Sequence, residues 1–161
     1  MQDGLRLTFD IMGSLRTYSG LNQASIKEHR VIDLVRSTMT ILKNKIPIGV
    51  HIEISVPENL EVTVNAAAIN QVLMNLIINA LDAIGDHGLI EISAEAQNEV
   101  VHLRIHDDGP GVPSDIREKV FDPFFTTKDV GKGTGLGLHI SRKEILRHGG
   151  SLSLDTNTDH G

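Results

Sequence analysis

Residues 66–84 read AAAINQVLMNLIINALDAI, and this stretch decides the architecture. At 100° per residue Ile69, Leu73, Leu76, Ala80 and Ile84 fall on one helical face. Met74, Ile78 and Leu81 widen that face, so the spacing predicts a deeply embedded helix, with Asn65 as its N-cap. Gln71, Asn75, Asn79 and Asp82 fall on the opposite side within a stripe about 80° wide. Asparagine is a poor mid-helix residue, and a buried amide without a partner costs roughly 1–3 kcal/mol. Either the stripe is a solvated face, or its amide oxygens line a site that accepts a hard cation such as Mg²⁺.

Outward from this helix the chain alternates short strands and helices. Val50, Ile52, Ile54 and Val56 alternate with polar residues as in a half-buried strand, and Val62 and Val64 suggest a short second one. Upstream, an amphipathic helix is expected at roughly 30–44, closed by Pro47 and Gly49. Leu5, Leu7, Phe9, Ile11, Met12, Leu15 and Tyr18 give residues 4–19 an apolar face at helical spacing, and a hinge is placed near 19–26. Downstream, Asp86-His87-Gly88 turns the chain into a hairpin of 89–95 and 100–107. A final helix at about 138–147 and a strand at 151–154 complete the order. Helices and mostly antiparallel strands on one core give an α+β, two-layer sandwich.

Composition sets limits on function. The chain has 161 residues, which suits one domain, and no cysteine, which excludes disulfides and thiolate chemistry. A net charge of −6 and only 3% aromatic residues argue against nucleic-acid binding. No apolar run is read as membrane-spanning, and the N-terminus does not read as a signal peptide.

Two further segments carry chemistry. In the strand 101–107, alternation puts Val101, Leu103, Ile105 and Asp107 on the core face, while Asp108 points away. Gly109-Pro110-Gly111 follows as a sharp bend. The carboxylate of Asp107 needs a donor: it either caps its own turn or accepts from an adenine amine, where guanine would present a repelling carbonyl. Next, Gly131, Gly133, Gly135 and Gly137 alternate with Lys132, Thr134 and Leu136 just before a helix, an arrangement that bares backbone N–H groups to an anion. The spacing fits neither a Walker A loop nor a Rossmann turn. Upstream of it, Phe121-Asp122-Pro123-Phe124-Phe125-Thr126-Thr127-Lys128 holds three of the chain's four phenylalanines. They either anchor the loop or hinge a lid over a nucleotide.

In this order the segments resemble the nucleotide-binding boxes of the superfamily that joins gyrase, heat-shock chaperone ATPases, histidine kinases and mismatch-repair ATPases. The N box is Asn75 to Ala83, the first glycine box Asp107 to Gly111, the F box Phe121 to Phe125, and the second glycine box Gly133 to Leu138. The resemblance spans about residues 30–155. It implies the Bergerat fold: a mixed, mostly antiparallel sheet covered on one face by about three helices, preceded here by a helical remnant. ATP and Mg²⁺ are the implied ligands, with Asn79 as metal ligand and Asp107 reading adenine. Asn75, Asn79 and Lys128 are the implied catalytic residues. The implied nucleotide site comprises Asn75, Asn79, Asp82, Asp107, Gly109, Gly111 and Val112, then Phe121, Phe125, Thr126, Thr127 and Lys128 of the lid. Gly133, Thr134, Gly135, Leu136, Gly137 and Leu138 complete it.

One position separates the branches. Hydrolytic members carry a glutamate four residues before the metal asparagine, placed to activate water. Here Asn75 stands there and cannot take a proton at neutral pH, as in histidine kinases, whose nucleophile comes from another domain. The implied activity is transfer of the γ-phosphoryl of MgATP to a histidine on a separate dimerisation domain, with a response-regulator receiver as indirect partner. The alternatives are an ATPase-type machine and a non-catalytic nucleotide sensor. Two departures stand out. Asp82 occupies a position that is basic in many relatives, which leaves phosphate neutralisation to Lys128, Lys132 or backbone. The chain also stops at Gly161, where the family continues into a final strand, so an open sheet edge is expected.

Residues 1–22 are taken as the end of a dimerisation-hairpin helix and hinge, and 23–161 as the ATP-binding catalytic domain. Only His106 among the eight histidines precedes an acid, so no phosphoacceptor is expected. His139 is expected to line the pocket or be solvated, and the other histidines to lie at the surface. The expected place is the cytoplasm, with no direct membrane contact.

Overall fold

In the computed structural model the described residues are 4–10, 26–128 and 133–155. Strands β1 (Gly4–Asp10), β3 (Gly49–Ser55), β5 (His87–Gln97), β6 (Val100–Asp107) and β7 (Ser151–Asp155) form one sheet in the order β3-β5-β6-β1-β7. The β3–β5 pair is parallel, and the remaining pairs are antiparallel. A second sheet pairs β2 (Ile26–Arg30) with β4 (Glu61–Asn65). Helices α1 (Val31–Leu42), α2 (Ala66–Ile84) and α3 (Gly137–Arg147) complete the described fold. The architecture is the expected α+β arrangement of a mixed sheet with three helices.

Helix α2 organises the core. The Asn65 side chain accepts from the Ala68 N–H at 3.2 Å, as the sequence predicted for an N-cap. Gly85, with φ of 72°, ends the helix by donating its N–H to Leu81. Ile69, Val72, Leu73, Leu76, Ile77, Ala80 and Leu81 are buried in a cluster with Ile90, Ile92, Val101, Leu103 and Ile105 of the sheet. By length and composition α2 could also cross a bilayer, its mean hydropathy reaching 1.4. This corrects the expectation that no such run exists, and here that apolarity serves core packing.

The N-terminus differs from expectation. Residues 4–10 are a strand between β6 and β7, not the end of a helix, so they belong to the five-stranded sheet. Leu5, Leu7 and Phe9 pair with Ile105, Leu103 and Val101. Their spacing is two, a strand period, and only residues farther along extend it to a helical pattern. Those residues, 11–25, lie outside the described ones, as do 156–161. Strand β2 also falls at the edge of the expected hinge. Its register against β4 runs from Ile26↔Asn65 to Arg30↔Glu61. Among the described residues β3 and β7 are the sheet edges.

Candidate active site

Every member of the polar stripe on α2 has a partner. Gln71 donates through Nε2 to Asn75 Oδ1 at 3.2 Å. Asn75 Nδ2 points at α3, 3.2 Å from Ser141 Oγ and 3.4 Å from the Gly137 carbonyl oxygen. Farther along the stripe, the Lys128 ammonium lies 3.4 Å from Asn79 Oδ1 and 2.5 Å from Asp82 Oδ2. The stripe is therefore the meeting line of α2, the N-terminus of α3 and the segment ending at Lys128. Gly137 is the first residue of α3 and stands beside Asn75. The positive end of the α3 dipole thus opens next to the amides.

The bend after β6 packs on the same helix. A Cβ at Gly109 would stand 3.1 Å from the Ala83 Cβ and 2.6 Å from Asp107 Oδ1, so the glycine lets the bend sit close against α2. Asp107 is half-buried, and its Oδ1 accepts from the Gly109 N–H at 3.0 Å. It does cap its own turn, at a place one helical turn beyond Asn79. Gly111 holds the bend with a φ of 73°, and the Val112 carbonyl accepts from Arg117 Nε at 3.1 Å. Asp108 points elsewhere, as expected, accepting from the Leu89 N–H at 2.9 Å.

The F-box segment is both anchored and clasped. Phe121 is buried, with the Arg142 guanidinium of α3 4.9 Å from its ring centroid. His139 Nδ1 contacts the Phe121 carbonyl at 3.2 Å. Phe121 is thus an anchor on α3, and half-buried His139 serves that anchor. Phe124 behaves differently: it is 74% exposed, with a φ of 67°. Its N–H donates to the Gly135 carbonyl at 2.9 Å, and a Cβ at Gly135 would fall 2.4 Å from the Phe124 carbonyl carbon. Gly135 must be glycine here, because it combines that approach with a φ of 65°. Phe125 is half-buried, and Thr126 and Thr127 are exposed. Thr126 Oγ1 accepts from the Lys128 N–H at 3.1 Å, and Thr134 Oγ1 from the Leu136 N–H at 3.4 Å. Leu138 packs on the core. Gly131 and Lys132 lie outside the described residues.

The four boxes named from sequence thus meet around one end of α2. Sequence reasoning missed two residues that hold this meeting together. Ser141 is fully buried and bonded to Asn75. His148 is 3% exposed, where a surface residue was expected. Its Nε2 accepts from the Asn65 N–H at 3.2 Å, and Nδ1 lies 2.9 Å from the Glu144 carbonyl. That pattern requires the tautomer with hydrogen on Nδ1. The ring ties the end of α3 to the start of α2.

A site for a divalent cation must supply hard oxygens. Among the described residues no group of three or more His, Cys, Asp or Glu could hold a metal. Asn79 and Asp82 already gather oxygens around a cation, the Lys128 ammonium. That donor set fits magnesium, which keeps several waters and takes one or two protein oxygens beside phosphates.

Comparison with known proteins agrees with this geometry. Residues 64–161 match the family model of histidine kinase-, DNA gyrase B- and HSP90-like ATPases. The C4-dicarboxylate transport sensor protein DctB of Rhizobium meliloti is 39% identical over 102 residues, which is 62% of this chain but only 16% of DctB. The catalytic domain of histidine kinase ThkA is 32% identical and superimposes with a TM-score of 0.71, covering 80% of this chain and 92% of that domain. A structure of ThkA in complex with the response regulator protein TrrA matches 73% of this chain and 34% of that kinase chain, at 31% identity and a TM-score of 0.62. The chain belongs to the histidine kinase-, DNA gyrase B- and HSP90-like ATPase family, and within it to the catalytic domains of histidine kinases.

Proposed function

We propose that this chain transfers the γ-phosphoryl group of magnesium-bound ATP to a histidine on a separate dimerisation domain, from which a response-regulator receiver is charged. The observation that carries the reading is the state of Asn75. Its amide is held between Gln71, Ser141 and Gly137, so the place where a hydrolytic relative keeps its water-activating glutamate holds a fixed amide that cannot take a proton. Water therefore has no activator here, and a histidine brought from outside is the nucleophile. His106 precedes an acid but lies on β6 opposite Glu91, inside a sheet, not on a helix. The complex of ThkA with a response regulator supports the receiver as downstream partner.

In this reading each box binds or orients. The carboxylate of Asp107 accepts from the adenine amine, with Gly109, Gly111 and Val112 shaping the turn around the base. The N-terminus of α3, with Thr134 to Leu138, offers backbone N–H groups and its dipole to the phosphates. Asn79 contributes its amide oxygen to magnesium, which supplies charge neutralisation at the phosphates when bound. Phe121 anchors the lid while Phe125, Thr126, Thr127 and Lys128 fold over the phosphates and exclude water. The sensor relatives support a cytoplasmic position for this domain.

The test mixes the chain with radiolabelled ATP and magnesium, alone and with a helical hairpin carrying a histidine before an acidic residue. Acid-labile label is expected on the hairpin only. Acid-labile label on the lone chain would mean that the acceptor lies within it, and brisk phosphate release without any hairpin would place it among the ATPases.

A further inference from the structure

We propose that Asp82 is a positioning residue that parks Lys128 on the proposed metal ligand, so that the nucleotide-free site holds its own cation and exchanges it for the metal–nucleotide pair. This rests on the nucleotide-site reading above and concerns how that site is kept before ligand arrives.

Lys128 bridges two side chains of α2 three residues apart, Asn79 Oδ1 at 3.4 Å and Asp82 Oδ2 at 2.5 Å. Its stem is aimed there by local geometry. The Lys128 N–H is fixed on Thr126 Oγ1, and a Cβ at Gly133 would lie 3.1 Å from Lys128 Cδ. The glycine lets the lysine stem pass between the second glycine box and α2. The Phe124–Gly135 clasp holds the same segment at its other end. Asp82 supplies the countercharge that holds the lysine on this stretch of α2.

The contact is built to be given up. Both side chains are partly exposed, 35% for Lys128 and 48% for Asp82, and ion pairs of that kind contribute little. A divalent cation on Asn79 Oδ1 cannot share that oxygen with an ammonium, because the two compete for its lone pairs and repel each other. Arrival of the metal therefore expels Lys128, whose next available anion is the phosphate of the nucleotide. Asn79 changes partner from ammonium to metal, and Lys128 from carboxylate to phosphate. No covalent bond changes.

Hydrogen exchange on the whole chain tests this at the amides of Phe124, Phe125 and Lys128, each hydrogen-bonded in the structure. In the nucleotide-free state Asp82→Asn should speed their exchange by about threefold or more, with β5 and β6 unchanged. Lys128→Gln should do the same, and the double variant should be no faster than the faster single. With a magnesium-bound, non-hydrolysable ATP analogue at saturation, Asp82→Asn and the parent should exchange alike in this segment, since the contact no longer exists. Equal exchange in the free state, additive effects in the double variant, or an unchanged Asp82→Asn effect with nucleotide bound would each overturn the proposal. Failure of any nucleotide to bind the parent would instead refute the functional reading, while the free-state comparison still decides the latch.

Discussion

Asn75→Asp is the sharpest perturbation the structure offers, because it changes one atom and inverts a donor. The Asn75 amide nitrogen faces two acceptors, Ser141 Oγ at 3.2 Å and the Gly137 carbonyl at 3.4 Å. An ionised carboxylate there can accept from the Ser141 hydroxyl, but it can give nothing to the carbonyl and is repelled by it. Losing a neutral hydrogen bond costs about 0.5–1.5 kcal/mol, and leaving a buried acceptor unsatisfied costs about 1–3 kcal/mol. Asn75 is only half-buried, so water screens part of the repulsion, and about 2 kcal/mol is the expected loss near neutral pH. For a chain of this size that lowers Tm by about 4–8 °C.

The pH dependence supplies the discriminating control. The fold disfavours the charged form of the new carboxyl, because it faces the Gly137 carbonyl, so its pKa rises above the unfolded value. A raised carboxyl pKa means that stability is retained below the unfolded value and lost as pH climbs through the raised value of the folded state. The deficit of the variant against the parent should be full at pH 7.5 and shrink toward zero near pH 4, where the protonated acid can again donate. Urea unfolding of both proteins across that range measures it, taking the difference at each pH so that other groups cancel. Equal stability at pH 7.5, or a deficit independent of pH, would refute the assignment of Asn75 as the tie between α2 and α3.

Three further outcomes follow from the same geometry. Asp107→Asn should weaken ATP binding by about 2 kcal/mol or more, as for a charge-assisted hydrogen bond, and the parent should discriminate against GTP; titration calorimetry reads both. Asn79→Ala should keep the fold by circular dichroism but lose most of the gain in nucleotide affinity that magnesium confers, and undiminished metal dependence would remove Asn79 from the metal site. Gly135→Ala should cost about 1–3 kcal/mol of local strain, since its backbone has positive φ and its Cβ would strike Phe124, and it should be read as faster exchange of the Phe124 amide with little change in the core strands.

How much of this was legible in the chain depends on how local each signal is. Helix α2 announced itself through an N-cap, a 3.6-residue apolar period and a polar stripe, all within 20 residues, and its core face is buried as read. The glycine boxes were legible too, because Gly111 and Gly135 adopt positive φ, which side chains rarely tolerate. Strand β1 was misread because Ile11, Met12 and Leu15 extend Leu5, Leu7 and Phe9 into a helix-like pattern, and only pairing with Ile105, Leu103 and Val101 decides for a strand. Strand β2 reads Ile26-Lys27-Glu28-His29-Arg30, with one apolar residue, and exists by pairing with β4. Ser141 and His148 were invisible for a different reason. Their partners Asn75 and Asn65 are 66 and 83 residues away in sequence, and a single polar residue carries no period that foretells burial.

One helical turn separates Asn75 from Asn79, and the structure treats the two amides differently. Asn75 is tied at both ends, its oxygen to Gln71 and its nitrogen into α3. The first bond is internal to α2, while the bonds to Gly137 and Ser141 join two elements of one core, and releasing those would require α2 and α3 to part. Asn79 meets the end of a long, partly exposed lysine that can swing away without disturbing any buried side chain. Rigidity and exchange are therefore divided along a single polar stripe. Asn75 sets the position of the α3 N-terminus, where phosphates are proposed to bind, and Asn79 presents an oxygen whose partner can change. A glutamate at the first position would break the tie in order to gain a base. In this chain that position already holds the N-terminus of α3 in place, and the proposed transfer therefore calls for a nucleophile carried by another domain.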